Sequence, residues 1–293
     1  MISLEKQPSA RPGLTVDGVS LAYDDYGSGP PVVCVHGFPA SSYSWKRVAT
    51  ALSESSRVVC IDMMGFGDSE KPAGESYSIH RQSELILGAI EQLGLQGIVL
   101  VGHSLGGGVC LDIMRRLGER HDLVRGLALV DPVCYPMRLP WFMLALMVPV
   151  VPRLIMKLIP EQWGFALLQN AMYHPINGMS REAMDEYARC LGSPGGHAAI
   201  VRIAKEIVPP DIDEMVSSYS RISVPTQIIW GRQDRVLPLA LGHRLEGDIP
   251  TAWLHEVDTC GHCPQEERPD EVIEVLGRFV DSVREQTSGG TVV

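Results

Sequence analysis

The chain has 293 residues, of which 45% are hydrophobic and 20% are charged. This is the balance of an ordinary globular protein with room for one large domain or a core domain with an insertion, and it excludes a disordered chain, a collagen or a coiled coil. The formal net charge of −10 gives no sign of the basic surface that nucleic-acid binding needs, so no nucleic-acid partner is expected.

The cysteines and the apolar runs indicate the cellular location of the protein. The chain has seven cysteines, an odd number, and several lie inside apolar runs such as PVVCVH. This pattern predicts reduced thiols in a cytoplasmic protein. The opening MISLEKQPSARPG lacks the pattern of a signal peptide. The longest apolar run, 139–152, has 14 residues with three prolines, fewer than the roughly 20 of a spanning helix. We expect no stable membrane insertion and leave a homodimer open.

Short apolar runs alternate with longer amphipathic runs along most of the chain. Residues 14–27 predict a hairpin that turns at Asp17-Gly18. Further strands are predicted at 30–37, 57–62, 97–102, 124–131, 226–231 and 252–257, and helices at about 42–53, 79–93, 104–117, 239–246 and 269–285. Fully apolar strands separated by helices imply an α/β fold whose parallel sheet is covered on both faces.

Residues 133–222 interrupt this alternation. They are rich in Pro, Met and Leu and contain helical patterns but no clear strand. We therefore predict a helical cap over 133–222 on a core domain formed by 1–132 and 223–293.

The apolar start of this insertion is a candidate for substrate binding. Its residues Trp141, Phe142, Leu146 and Met147 are expected to line a hydrophobic acyl or alcohol pocket. A helix face that merely packs on the core explains the same residues, and this alternative stays open.

The stretch VLVGHSLGGG at 99–108 carries the strongest chemical signal. Gly102-x-Ser104-x-Gly106 follows a predicted strand and precedes a predicted helix, which is the context of a nucleophile elbow. Side chains at 102 and 106 would collide with neighbouring backbone, and the following helix adds partial positive charge where an oxyanion would form. The alternative is a glycine-rich turn with a bystander serine.

An activated serine needs a base, and the base needs an orienting acid. Asp234 follows a late predicted strand, and His262 follows the last one. Both loops can reach Ser104, because all carboxyl ends of parallel strands lie at one edge of the sheet. Asp131, at the end of an earlier strand, is a rival acid, although a turn-forming aspartate before Pro132 explains it as well.

Five motifs together resemble those of α/β-hydrolases, in the subgroup that also contains haloalkane dehalogenases, epoxide hydrolases and small esterases. They are His36-Gly37-Phe38-Pro39, DMMGFGDSEKP at 62–72, GHSLGG at 102–107, WGRQD at 230–234 and GHCPQEERP at 261–269. They span almost the whole chain outside the insertion. The resemblance implies an α/β-hydrolase fold with a mostly parallel, eight-stranded sheet and a helical cap.

The resemblance also implies roles for the loop at 36–39. The backbone N–H groups of Phe38 and Leu105 would form the oxyanion hole, and Pro39 would follow a cis peptide. Phe38 and His103 are further candidates for the substrate pocket, with plain packing as the alternative for the Phe38 side chain. The related dehalogenases and epoxide hydrolases carry aspartate at the elbow, where this chain has Ser104.

A serine nucleophile with a base prefers an acyl carbon, so we expect a carboxylic-ester hydrolase that acts on small to medium hydrophobic esters and needs neither cofactor nor metal. A carbon–carbon bond hydrolase of ring-cleavage products is a second interpretation; it needs a basic residue for the substrate carboxylate, and Arg189 or Arg202 could serve. A perhydrolase or haloperoxidase activity is a third. A ligand receptor without catalysis is the alternative from another class.

The quartet Cys260-Gly261-His262-Cys263 has the composition of a dithiol exchange site. A redox dithiol belongs at a helix start after an early strand of a small thioredoxin-like domain, whereas this quartet lies in the last strand–helix loop. We therefore favour His262 as the functional residue. A disulfide between Cys260 and Cys263 that tunes the base is a hypothesis.

Overall fold

The computed structural model describes residues 11–118, 122–136 and 169–288. Eight strands in these ranges form one sheet in the order β1-β2-β4-β3-β5-β6-β7-β8. They are β1 Gly13–Val16, β2 Val19–Gly27, β3 Pro31–Val35, β4 Arg57–Ile61, β5 Ile98–His103, β6 Val124–Val130, β7 Thr226–Gly231 and β8 Ala252–Val257. Strand β2 runs antiparallel to β1 and β4, and the remaining pairs are parallel. The predicted mostly parallel, eight-stranded sheet is confirmed.

The helices that the structure describes include one close to each of the five predicted positions. They are α1 Lys46–Leu52, α2 Ile79–Gln92, α3 Leu105–Leu117, α4 Arg181–Gly192, α5 Gly196–Glu206, α6 Ile212–Ser217, α7 Ala240–Asp248, α8 Pro264–Glu267 and α9 Pro269–Ser288, with short 3₁₀ turns at Ser42–Trp45 and Tyr219–Arg221. The four-residue helix α8 is absent from the sequence prediction, which places a loop there.

The central strands are apolar throughout because both of their faces are buried. In β3, Val33 and Val35 belong to the cluster that includes α2 and α3. Val32 and Cys34 point to the opposite face and pack in the cluster of α1 and α9. Alternate residues thus serve two separate cores, as the period of a strand dictates.

Between β6 and β7, the described residues contain helices α4 to α6 and no strand. Helix α4 contacts the core domain through its polar residues: the Arg189 guanidinium lies 2.8 Å from the Asp68 carboxylate in the loop after β4. The four pocket candidates Trp141, Phe142, Leu146 and Met147 lie outside the described residues, and the division into core and cap remains a prediction.

None of the helices within the described ranges combines the length and the apolar character that crossing a membrane requires.

The DMMGFGDSEKP motif has a structural role that centres on Asp62. This carboxylate is fully buried and accepts the backbone N–H of Ser42 at 2.7 Å and of Asp68 at 3.0 Å. The Arg11 guanidinium supplies a third bond at 2.7 Å. Asp62 therefore joins the loops that follow β3 and β4.

The turn between β5 and α3 needs glycine on both sides of Ser104. A Cβ atom at Gly102 would lie 2.5 Å from the carbonyl oxygen of Gly106 and 2.6 Å from the Cys110 sulfur. A Cβ atom at Gly106 would collide with the carbonyl oxygens of Val35 and His36. The close approach of α3 to β3 thus depends on a missing side chain.

Replacing Gly106 with alanine is expected to lower the free energy of unfolding by about 1–3 kcal/mol or more, because backbone must move to admit the methyl group. Gly247→Ala is the matched control, since no atom lies within 4 Å of its Cβ position in α7. Alanine should leave stability unchanged there or raise it by up to about 1 kcal/mol. Urea denaturation measures both, and equal effects would contradict the steric argument.

Candidate active site

Ser104 occupies the sharp turn between β5 and α3. Its φ of 51° and ψ of −116° lie in a region that non-glycine residues seldom adopt. The surrounding structure holds it there: the Ser104 N–H donates to Val130 at 2.9 Å, and its carbonyl accepts from Gly108 at 3.1 Å and Val133 at 2.9 Å. The turn is therefore tied to both the next helix and the neighbouring strand.

The structure brings Ser104, His262 and Asp234 into one hydrogen-bonded line. The Nε2 atom of His262 lies 2.9 Å from the Ser104 Oγ, and its Nδ1 atom lies 2.7 Å from the Asp234 Oδ2. A carboxylate only accepts, so Nδ1 carries the hydrogen and Nε2 presents its lone pair to the serine hydroxyl. This is the arrangement that a general base and its orienting acid require.

Asp234 is held as an anion by its surroundings. Its Oδ1 accepts the backbone N–H groups of Val236 at 2.7 Å and Leu237 at 2.9 Å. Burial would raise the pKa of Asp234, but the electrostatic interaction and hydrogen bond with His262, together with the Leu237 N–H, outweigh burial and hold it below its ordinary value. The carboxylate can therefore stabilise an imidazolium at His262.

The loop at 36–39 passes directly against the serine. A Cβ atom at Gly37 would lie 2.9 Å from the Ser104 Cβ, so only glycine allows this approach. The Phe38–Pro39 peptide is cis, as predicted. Outside regular helices and strands, no backbone acceptor in the described residues pairs with the Phe38 N–H or the Leu105 N–H.

The side chains of this loop and of its neighbour His103 are turned inward. Phe38 is buried and packs edge-on against Phe66, with 6.0 Å between ring centroids. The His103 Nε2–H donates to the carbonyl oxygen of His262 at 2.7 Å. Burial, and then the neighbouring His262, lower the pKa of His103 to about 3, so it stays neutral. In this structure His103 positions the backbone of His262.

The rival acid Asp131 lies beside Asp234 but does not hold the imidazole. It is fully buried, and its Oδ1 accepts the N–H of Gly231 at 3.1 Å. A cluster in the described residues combines Asp131, Asp234 and His262. One carboxylate oxygen of each aspartate and one ring nitrogen of the histidine lie within 4.8 Å of one another. Because Asp234 and Ser104 engage both ring nitrogens of His262, this cluster is a hydrogen-bond network and not a cation site.

Glu267 has a role that sequence reasoning did not identify. Its buried carboxylate accepts the N–H groups of Gly261 at 3.0 Å and Cys263 at 3.1 Å, on either side of His262. It also accepts the N–H of His174 at 2.7 Å and the side-chain amide of Asn177 at 3.1 Å. Glu267 therefore fixes the histidine loop and joins it to residues between β6 and β7. The GHCPQEERP motif contains it, but only the fold reveals its partners.

The two cysteines that flank His262 are free, buried thiols. Burial raises the pKa of both Cys260 and Cys263 above the ordinary value, which disfavours the thiolate that disulfide exchange requires. The structure thus gives no support to a catalytic dithiol.

Arg189, a candidate for binding a substrate carboxylate, is already paired. Its guanidinium contacts Asp68 and Glu186, each at 2.8 Å. Arg202, the other candidate, lies half-buried on α5.

Comparisons with known proteins agree with this fold. A family model described as alpha/beta hydrolase fold matches residues 30–269. The uncharacterized hydrolase YugF of Bacillus subtilis (strain 168) is 28% identical over 269 residues, which cover 91% of this chain and 96% of that protein. A 2-hydroxymuconate semialdehyde hydrolase of Pseudomonas putida is 28% identical over 296 residues, covering 94% and 96%. The solved structure of a thermophilic esterase from Thermogutta terrifontis matches with a TM-score of 0.75 and 25% identity, covering 94% of this chain and 99% of that one.

Glu267→Gln is expected to lower the free energy of unfolding by roughly 1–3 kcal/mol, because the amide cannot accept hydrogen bonds at both of its terminal atoms. Turnover should fall as well, since the backbone on both sides of His262 loses its support. Thermal unfolding and the rate constant of any hydrolysed substrate measure the two effects. Glu274→Gln, at an exposed glutamate of α9, is the control. Wild-type stability and turnover in Glu267→Gln would refute this role.

The buried carboxyl group of Glu266 predicts that stability depends on pH. Its carboxylate accepts the Tyr187 hydroxyl of α4 at 2.9 Å, and burial raises its pKa from 4.5 to about 7. Between these values the folded protein keeps a proton that the unfolded chain releases, so this group's contribution to stability is lost as pH rises through that window. Thermal unfolding across it should show a loss for wild type that Glu266→Gln lacks. Parallel curves for the two proteins would contradict the effect.

Proposed function

Because the chain belongs to the α/β-hydrolase fold family, we propose that it is a serine hydrolase that cleaves carboxylic esters of small to medium hydrophobic substrates through an acyl-enzyme. The observation that carries the proposal is the line from Ser104 through His262 to Asp234, with contacts of 2.9 and 2.7 Å. Each of the three sits at the carboxyl end of a parallel strand, where the family's fold supports chemistry.

Acylation begins with a proton transfer. His262 Nε2 takes the hydroxyl proton of Ser104 as the Oγ attacks the ester carbonyl, and the imidazolium is stabilised by Asp234. The tetrahedral intermediate collapses, the C–O bond to the alcohol breaks, and His262 gives its proton to the departing alcohol. Water then attacks the acyl-serine by the same steps, which releases the acid and restores Ser104.

The oxyanion of each intermediate is assigned to the N–H groups of Phe38 and Leu105. Leu105 is the first residue of α3, so its N–H adds to the partial positive charge of that helix terminus. One such donor typically contributes about 2.7–4 kcal/mol to lowering the barrier. Both donors are backbone groups, so side-chain substitution does not remove them.

The residue at the elbow favours acyl chemistry. A carboxylate at this position can displace a halide or open an epoxide directly, whereas a neutral hydroxyl needs a base and a trigonal carbon. Ser104 with its imidazole partner therefore supports ester cleavage over dehalogenation.

A carbon–carbon bond hydrolase is the second candidate, favoured by the 28% identity to the 2-hydroxymuconate semialdehyde hydrolase of Pseudomonas putida. This reaction uses the same three side chains, but its substrate carries a carboxylate that calls for a basic partner. The ion pairs of Arg189 with Asp68 and Glu186 weaken this reading.

Ser104→Ala is expected to lower kcat for p-nitrophenyl butyrate by about 10⁴-fold or more, because the acyl-enzyme cannot form. A fluorophosphonate should label the wild type and not this variant. Ser217→Ala, at an exposed serine of α6, should keep wild-type activity and labelling. Equal turnover by wild type and Ser104→Ala would eliminate the serine mechanism, and a wild type that neither labels nor turns over would favour a receptor.

A substrate series separates the two hydrolase candidates. We expect kcat/KM for p-nitrophenyl esters from acetyl to palmitoyl to pass through a maximum at short to medium chains. A vinylogous diketone acid, the type of compound that ring cleavage produces, should be a poorer substrate than the best ester. Faster cleavage of the diketone would reverse the assignment while keeping the same three residues.

A further inference from the structure

Asp131 is a fully buried carboxyl group with little to stabilise a charge. Its Oδ1 accepts one hydrogen bond, from the Gly231 N–H at 3.1 Å. Its Oδ2 is buried and finds no donor among the described residues. A buried carboxylate with one donor is unfavourable, and an orphaned oxygen at such a position needs an explanation.

The explanation is the neighbouring carboxylate. An oxygen of Asp131 and one of Asp234 lie within 4.8 Å of each other, and two buried carboxylates at that separation cannot both be ionised at low cost. Asp234 has three donors, from His262, Val236 and Leu237, so it keeps the charge. The proton of the pair therefore belongs on Asp131.

Asp234 has an acceptor site left for that proton. A carboxylate offers about four lone-pair sites. Two N–H groups occupy the Oδ1 atom, and His262 occupies one site on Oδ2. The remaining site is on Oδ2, which can accept an O–H from Asp131.

We propose that Asp131 is a positioning residue that stays protonated and donates its Oδ2–H to Asp234, so that Asp131, Asp234, His262 and Ser104 form one hydrogen-bonded chain. The inference rests on the proposed function, in which His262 must be an unprotonated base. An ionised Asp131 would place a second negative charge near the imidazole and hold it in the protonated form. A neutral Asp131 instead steadies Asp234 without adding charge.

The other groups around Asp131 are consistent with a neutral acid. Burial, and then the negative charge of Asp234, raise the pKa of Asp131 well above its ordinary value, and Glu267 contributes in the same direction. Cys260 and Cys263 also face this site, and burial raises the pKa of both thiols. None of these groups supplies a positive charge that would favour an anion at Asp131.

Two variants suit the backbone at this position. Asp131 has a φ of 41°, which asparagine and glycine tolerate better than other residues. Asp131→Asn keeps an acceptor for Gly231 and a donor for Asp234. Asp131→Gly removes both hydrogen bonds and leaves the main chain unstrained, so the comparison of the two variants shows whether a donor and an acceptor at this position are sufficient.

Infrared spectroscopy tests the protonation state without any substrate. Well above pH 7, where Glu266 with its pKa of about 7 is ionised, the wild type should still show the C=O band of a protonated carboxylic acid. The band should vanish in Asp131→Asn. In Asp234→Asn, where the neighbouring charge is removed, it should titrate away at lower pH. No band difference between the wild type and Asp131→Asn would overturn the inference.

Kinetics test the positioning role. Losing one donor to a charged group should lower kcat by about 10-fold in Asp131→Gly, and Asp131→Asn should restore most of that loss. The acid limb of the pH–rate profile in Asp131→Asn should coincide with that of the wild type. If Asp131 were ionised, the limb would move to lower pH, because removing a negative charge disfavours the protonated imidazole.

Different outcomes contradict the serine mechanism and the role of Asp131. Full turnover in Ser104→Ala removes the serine mechanism but leaves the infrared band of Asp131 in place. Conversely, an esterase that depends on Ser104 but lacks the band retains the proposed function and refutes the role of Asp131.

Discussion

The hydrogen bond between His262 and Asp234 joins two loops whose residues lie 28 positions apart, and the rest of the site is arranged around it. The two loops meet without side chains between them: a Cβ atom at Gly231 would collide with the carbonyl oxygen of Gly261. Glycine at 231 therefore permits the close approach of the two loops that the 2.7 Å contact requires. Ser104 is then placed by a different device, the strained turn that β6 and α3 hold together.

Residues between β6 and β7 help to hold the backbone around His262 in place. The His262 N–H donates to the Met172 carbonyl at 2.6 Å, and the His174 N–H donates to Glu267. The backbone of the histidine loop is thus anchored by residues in the predicted cap and by Glu267 in the core. The position of the His262 backbone therefore depends on residues 172–174 as well as on its own loop.

The sequence alone predicts the structural features that depend on residues close together in the chain. The strands around Val33 and Val101 are apolar on both faces and could be recognised without knowing their neighbours, and the spacing around Ser104 admits few structures. The partners of Glu267 and the pairing of Asp131 with Asp234 could not be predicted, because they depend on which loops meet at the sheet edge. Helix α8 could not be predicted because its four residues, which follow Cys263, are too few to show a periodic pattern.

Two carboxyl groups, those of Asp131 and Asp234, lie close to the His262 imidazole, and their donors differ in number. Asp234 accepts two backbone N–H groups and the imidazole, whereas Asp131 accepts a single N–H. Each N–H donor favours the anion, and burial without donors favours the acid. On this proposal, backbone N–H donors determine which carboxyl group carries the charge next to His262. In the proposed arrangement, the single negative charge beside His262 lies on Asp234, and Asp131 is neutral.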